Sequence, residues 1–315
     1  MVAGMNKAIV VTGIGGYLAF HLIPELLRKN YKVYGIDIKD HDLIIESHQS
    51  ENLVFIKNEF RKAKKKIIQL LRENHENITS FVHFSGISDA IKCNKNPLAA
   101  FNANVNHTME VLDFCREQNI QKFYFPSTGL VYGEHRINQS WTEESLLNPL
   151  NFYAWTKYIA EKTIESYCSS FGLQSIVMRI NNIIGYPLKI GTIVNDIFSQ
   201  VRNEAKEVII KDGNPIRDFI FIRDAVSALV SLLEIESNSN FEIYNVSSGI
   251  GIPAMELAHM ICTINDLPVS IVKSQKPIDS NPPALVLENS KLKQTGWSPK
   301  YSIEASIKEI KNFLI

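Results

Sequence analysis

The sequence predicts an α/β protein: a doubly wound parallel sheet followed by a smaller C-terminal α/β lobe. Three observations predict it. Short β-branched runs alternate with amphipathic helical stretches through the first two-thirds of the chain, the rhythm of βαβ units. The runs are apolar without clean alternation, as strands covered on both faces require. Beyond residue 180 the rhythm loosens into loops such as "YPLKIG", "KDGNPIRD" and "SQKPIDSNPP".

The elements follow in order. Strands are expected at 8–11, 32–36, 53–56, 81–84, 122–125 and 175–179, with helices at 17–29, 61–73, 97–118 and 152–171. The first strand is the apolar start of "IVVTGIGGYLAFHL" (9–22). Thr12 and three glycines interrupt that stretch, and His21, Pro24 and Glu25 follow, so it is neither a signal peptide nor a membrane span. The second strand ends at Asp37, the third runs into "FIKNEF", the fourth into "VHFSG" and the fifth into "FPST". The basic run "RKAKKK" (61–66) opens an amphipathic helix and reads as a solvated face. A later run, 242–246, is expected to return to the main sheet.

Bulk properties narrow the function classes. With 33 basic and 33 acidic residues, the chain gives no reason to expect nucleic acid or an anionic membrane as partner. The four cysteines (Cys93, Cys115, Cys168, Cys262) form no C-x-x-C pair, which argues against a disulfide framework or a metal site and fits a reducing cytoplasm.

Gly13, Gly16 and Ala19 follow the first strand at G-x-x-G-x-x-A spacing. The first glycine suits a tight turn, the second the approach of a pyrophosphate, and the third position needs only a small side chain. The next helix, opening with Tyr17 and Leu18, would aim its free N–H groups at the phosphates. Asp37 ends the second strand, where a carboxylate accepts hydrogen bonds from ribose hydroxyls and repels a 2′-phosphate, so NAD is favoured over NADP. Glu59, Phe60, Phe84, Ser85 and Gly86 lie at the ends of the third and fourth strands, where a dinucleotide crosses such a sheet.

In "NFYAWTKYIAEK", Tyr153 and Lys157 are four apart and share one helix face. A free tyrosine, with a pKa of ~10, is a poor base, and a nearby ammonium favours its phenolate. Lowering it by ~3 units takes about 4 kcal/mol of differential interaction. Ser127 and Thr128, at the end of the fifth strand, bring hydroxyls to the same crevice for a substrate oxygen.

On these residues the chain resembles an extended short-chain dehydrogenase/reductase of the NAD-dependent epimerase/dehydratase family, whose members work on nucleotide-diphosphate sugars. The matching motifs run through nearly the whole length: "TGIGGYLA", Asp37, "HFSG", "STGLVYG", "YAWTK", "RINNIIGYP", "RDFIFIRDA", "YNVSSG" and "TGWSPKYS". The resemblance implies a Rossmann cofactor domain over 1–180, with 219–248 returning to it, and a substrate lobe over 181–218 and 249–315. It also implies a homodimer built from helices near 97–118 and 152–171. By position, Tyr153 matches the family base, Lys157 the residue that binds ribose and tunes it, and Thr128 the residue that orients the sugar hydroxyl. Asn181 matches an asparagine on the substrate diphosphate, Arg217 an arginine at the nucleotide end, and Lys276 a second phosphate-binding base.

Family dehydratases carry an Asp-Glu pair after the threonine; here those positions are Gly129 and Leu130, which transfer no proton. The decarboxylases' glutamate is missing too. The expected activity is therefore a nucleotide-sugar 4-epimerase, UDP-sugar first, with a 4-keto-sugar reductase as the close rival. A non-catalytic dinucleotide-binding protein is the alternative outside enzymes, and the intact Thr128, Tyr153 and Lys157 argue against it.

Overall fold

Seven strands form the central sheet of the computed structural model, which describes residues 7–39, 50–74, 76–133, 140–189, 191–237, 239–275 and 283–314. β1 (Ala8–Thr12) is an interior strand and wholly buried. It pairs in parallel with β2 (Lys32–Asp37) on one side and β4 (Ile78–His83) on the other. β3 (Leu53–Lys57) extends the sheet beyond β2. β5 (Lys122–Thr128) and β6 (Gln174–Ile180) extend it beyond β4, with Phe241–Val246 at the far edge. The strand order reverses between β1 and β4, so their carboxyl ends open a crevice, the usual ligand position in such sheets.

Each helix buries one stripe. α1 (Tyr17–Arg28) buries Ala19, Leu22, Ile23 and Leu26, at steps of three, one and three residues. α2 (Phe60–Asn74) buries Phe60, Ala63 and Ile67 while Arg61, Lys62, Lys65 and Lys66 stay exposed, so the basic run is a solvated face. The core beneath is aromatic: Phe60, Phe81 and Phe114 meet edge to face.

The helix expected over 97–118 is three pieces, preceded by a short α3 (Ala90–Lys95). α4 (Pro97–Phe101) runs into a π-helical turn, Asn102–Asn106, and then α5 (His107–Glu117). The widened turn carries the buried Asn104, whose amide is engaged outside its own helix. α6 (Phe152–Phe171) is regular, capped by Asn151, whose side chain accepts from Ala154 N at 2.9 Å, and closed by Gly172 at φ 71°.

The chain divides into two compact units: Met1–Val131, Pro149–Met178 and Leu229–Ile243 form the first, and Tyr132–Asn148, Arg179–Ala228 and Tyr244–Ile315 the second. These bounds differ from those expected at two stretches, apart from Arg179 and Ile180 at the domain boundary, which fall in the second unit. Residues 132–148 belong to the second unit, and only Leu229–Ile243 of the expected 219–248 return to the first. The reason for the first difference is a polar knot within the second unit. The Tyr132 hydroxyl donates to Asn245 Oδ1 at 2.7 Å, Arg179 donates to the Tyr132 oxygen, and Trp141 stacks on the Tyr132 ring. Glu143 Oε1 accepts from Asn245 N at 2.7 Å. A second, small sheet in this unit is centred on Ile216–Phe221. Among the described residues, no helix is long and apolar enough to cross a membrane, and no three His, Cys, Asp or Glu side chains converge as metal ligands. All four cysteines are free and buried.

Candidate active site

The glycine turn is built for a close backbone approach. Gly13 sits at φ +68°, and a Cβ there would lie 2.7 Å from Ser85 N and 2.9 Å from the Phe84 carbonyl carbon. Its glycine is thus required by the end of β4 as well as by the turn. Gly16 has ordinary extended backbone and occupies the position before α1 with no side-chain cap, and no acidic residue stands in the first turn at Tyr17 and Leu18. The helix start therefore offers uncapped N–H groups in a positive field, suited to a pyrophosphate. Ala19 is fully buried, as the packing position requires. Asp37 accepts from Gly15 N at 3.1 Å and Lys39 N at 3.2 Å, which holds its carboxylate beside the turn. Gly86, at φ +152°, has no room for a Cβ because Asn104 Oδ1 would lie 2.7 Å away. Bare turns, an uncapped helix start and a strand-end carboxylate fit NAD.

Two expected cofactor residues are placed differently from one another. Glu59 is exposed at the start of α2, whereas the Phe60 ring is packed in the core against Phe81, Phe114 and His107. Phe60 thus contributes packing at this position, and only its backbone is left for a cofactor.

Behind the crevice lies a polar scaffold that sequence reasoning missed. His83 is fully buried, with Nδ1 2.7 Å from Thr12 Oγ1 and Nε2 3.2 Å from Thr108 Oγ1. Thr108 donates its own proton to the Asn104 carbonyl, so it accepts from Nε2–H. Burial drives the His83 pKa far down, and the nearby Lys157 adds to that, so the ring is neutral. Asn104 accepts from Ile87 N at 2.7 Å and donates to Thr156 Oγ1 at 2.9 Å, and Thr156 donates to the Tyr153 carbonyl. This one amide ties the Ser85–Gly86 corner to the turn of α6 that carries Tyr153. An asparagine inside an apolar helical run was the available signal.

The structure brings Thr128, Tyr153 and Lys157 together. Tyr153 and Lys157 share a face of α6, both nearly buried. The Thr128 side chain hydrogen-bonds Tyr153 and favours its phenolate, but burial dominates and pushes the phenol well above its ordinary value. Burial outweighs the lowering that the sequence reading expects from Lys157. Its Nζ donates to the Pro126 carbonyl at 2.8 Å and lies 4.2 Å from the Phe125 ring centroid. Ser127 is also turned away from the expected role: its hydroxyl donates to the buried carboxylate of Glu161. Leu130, at the second position where dehydratases carry acid, packs with Cys93 and Tyr153.

In the second unit, Asn181 and Arg217 meet at one short strand, Ala284–Leu285. Asn181 Nδ2 donates to the Leu285 carbonyl at 3.2 Å, and Leu285 is the register partner of Arg217. Burial lowers the Arg217 pKa while Asp212 raises it. Its neighbour Asp218, overlooked in the sequence, is fully buried and accepts from Ser248 N, Ser248 Oγ, Gly249 N and Leu287 N. Lys276 lies outside the described residues.

Comparison with known proteins identifies the family. Residues 9–247 match the NAD dependent epimerase/dehydratase family, and the chain belongs to that family of nucleotide-sugar enzymes, whose cofactor is NAD. It is 30% identical over 234 residues to the "Uncharacterized UDP-glucose epimerase YtcB" of Bacillus subtilis, covering 71% of this chain and 72% of that one. It is 29% identical over 278 residues to the dTDP-D-glucose 4,6-dehydratase of Dictyostelium discoideum, covering 82% of this chain and 62% of that one. Its fold matches that of a UDP-glucuronic acid 4-epimerase from Bacillus cereus, solved with UDP-glucuronic acid and NAD, at TM-score 0.86 and 23% identity over 98% of this chain and 100% of that one.

Proposed function

We propose that this chain is an NAD-dependent nucleotide-diphosphate-sugar 4-epimerase acting on a UDP-sugar. The observation that carries the choice of chemistry is the segment after Thr128. Gly129 has no side chain and Leu130 is packed against Cys93 and Tyr153, so the pair that would eliminate water is missing. The resemblance gives the dehydratases of this family an acid pair at the positions that Gly129 and Leu130 occupy here.

In this reading Tyr153 takes the proton of the sugar 4-hydroxyl and returns it after the ketone has turned its other face. Thr128 hydrogen-bonds the same oxygen and steadies Tyr153 between the two transfers. Lys157 binds the ribose and adds a positive charge to the base. When bound, NAD supplies the hydride carrier and a ring charge that favours the Tyr153 phenolate beyond what Lys157 provides. Gly13, Gly16 and the start of α1 hold the pyrophosphate, and Asp37 the adenosine ribose. The first unit is the cofactor domain, and the second carries Asn181 and Arg217 for the substrate's diphosphate and nucleotide.

Apolar side chains on α3 to α6 support a homodimer through these helices: Ile91 is 64% exposed, Leu98 71% and Trp155 44%. Free, buried cysteines support a reducing cytoplasm.

The test is direct. Purified protein is denatured to identify the released dinucleotide, and fresh protein is incubated with UDP-, GDP-, CDP- and dTDP-sugars. Bound NAD and a 4-epimer read by NMR are expected. Consumption of NADPH on 4-keto sugars, with no bound NAD, would establish the reductase instead.

A further inference from the structure

On α6, Tyr153 and Lys157 are followed at the same four-residue step by Glu161, which is 1% exposed. Among the described residues of the first unit it is the one buried carboxylate. An acid is rarely buried so completely without a specific partner. Here Ser127 donates its hydroxyl to Glu161 Oε1. One turn earlier, Lys157 donates to the carbonyl of Pro126 and lies over the ring of Phe125. Two successive turns of α6 therefore grip three successive residues of β5. The next residue along the strand is Thr128, which meets Tyr153.

We infer that Glu161 is a positioning residue for the epimerisation proposed above, on which this inference rests. Through Ser127 it fixes the end of β5 so that the Thr128 hydroxyl stays in register with Tyr153. Its negative charge, one helical turn beyond Lys157, offsets part of the ammonium's pull on the Tyr153 phenol. Two further titratable side chains beside the pair are uncharged. His83 of β4 is held neutral by burial, with His107 adding to that effect. Cys93 of α3 is held as the thiol by burial and by Asp89.

The test uses Glu161→Gln, Glu161→Ala and Ser127→Ala in the full NAD-loaded protein, alongside the parent. Glu161→Gln keeps an acceptor for Ser127 and removes the charge. It should retain kcat within about threefold while the acid limb of kcat/KM moves down by roughly half a pH unit. Glu161→Ala and Ser127→Ala should each lower kcat about 10- to 100-fold, with KM and bound NAD near the parent's, and the double variant should be no worse than either. If Glu161→Ala does not fold, the other two variants carry the measurement. An unmoved pH limb in Glu161→Gln overturns the charge role, and parent-like kcat in Ser127→Ala overturns the positioning role. A parent that epimerises no nucleotide sugar refutes the proposed function instead. The charge role is then read from the phenolate absorbance of Tyr153, taken as the difference from Tyr153→Phe. That titration should fall to lower pH in Glu161→Gln, and an unchanged titration refutes it.

Discussion

The strand ends of the first unit and the buried aspartates of the second hold their polar groups in different ways. In the first, titratable and hydroxyl side chains face one another at the strand ends: Thr12 with His83, Ser127 with Glu161, Thr128 with Tyr153. In the second, Asp218 accepts three backbone N–H groups and one hydroxyl, and Asp224 accepts the backbone N–H of Lys300 and Tyr301. Backbone donors cannot trade protons or turn away without unfolding a loop, so the second arrangement fixes architecture. Side-chain partners can exchange a proton with little movement, which suits the first to chemistry.

The sharpest way to break this contrast is to remove one group from each side. Tyr153→Phe deletes the proton acceptor and leaves the packing. Turnover is expected to fall about 10²- to 10⁴-fold with an unfolding midpoint close to the parent's, and parent-like turnover would end the mechanism. Asp218→Ala should do the reverse. Three backbone donors and the Ser248 hydroxyl lose their acceptor, at a cost of about 3 kcal/mol or more in denaturant unfolding.

A pH series sharpens the same comparison. Burial pushes Asp218 up from 3.8 to about 6, with its hydrogen bonds pulling back. Because the folded value is the higher one, the stability this group contributes is complete below the unfolded value and is lost as pH rises through the folded value. Relative to Asp218→Asn, the parent should lose up to about 3 kcal/mol between pH 4 and 7, read from urea midpoints. A flat difference would mean that the four donors outweigh burial.

Gly13→Ala is the smallest perturbation. Its methyl would press on the end of β4 and sit in left-handed backbone, which costs about 1–2 kcal/mol before any displacement of Ser85. The expected readout is bound NAD lost on gel filtration from a protein that remains folded.

What the sequence made legible was local. The glycine turn, Asp37 at its strand end, the Tyr153–Lys157 step and the succession of strands and helices along the chain all follow from spacing and periodicity within single elements. What it hid depends on partners far along the chain. Phe60 reads as a strand-end residue until Phe114 arrives to cover it, and Ser127 reads as a substrate contact until Glu161 accepts its hydrogen bond. The π turn at Asn102–Asn106 has no signature in a 3.6-residue period; it exists because Asn104 reaches Ile87 and Thr156. Residues 132–148 join the second unit through Tyr132, Glu143 and Asn245, contacts that span about a hundred residues of sequence.

The central claim is that the hydrogen leaving C4 comes back to the same carbon. A UDP-hexose labelled with deuterium at C4, incubated with the NAD-loaded protein and followed by NMR, tests it most directly. The 4-epimer with its deuterium retained at C4, and no net reduced cofactor, is the predicted result. A 4-keto-6-deoxy product, or an epimer that has lost the label to solvent, would contradict it.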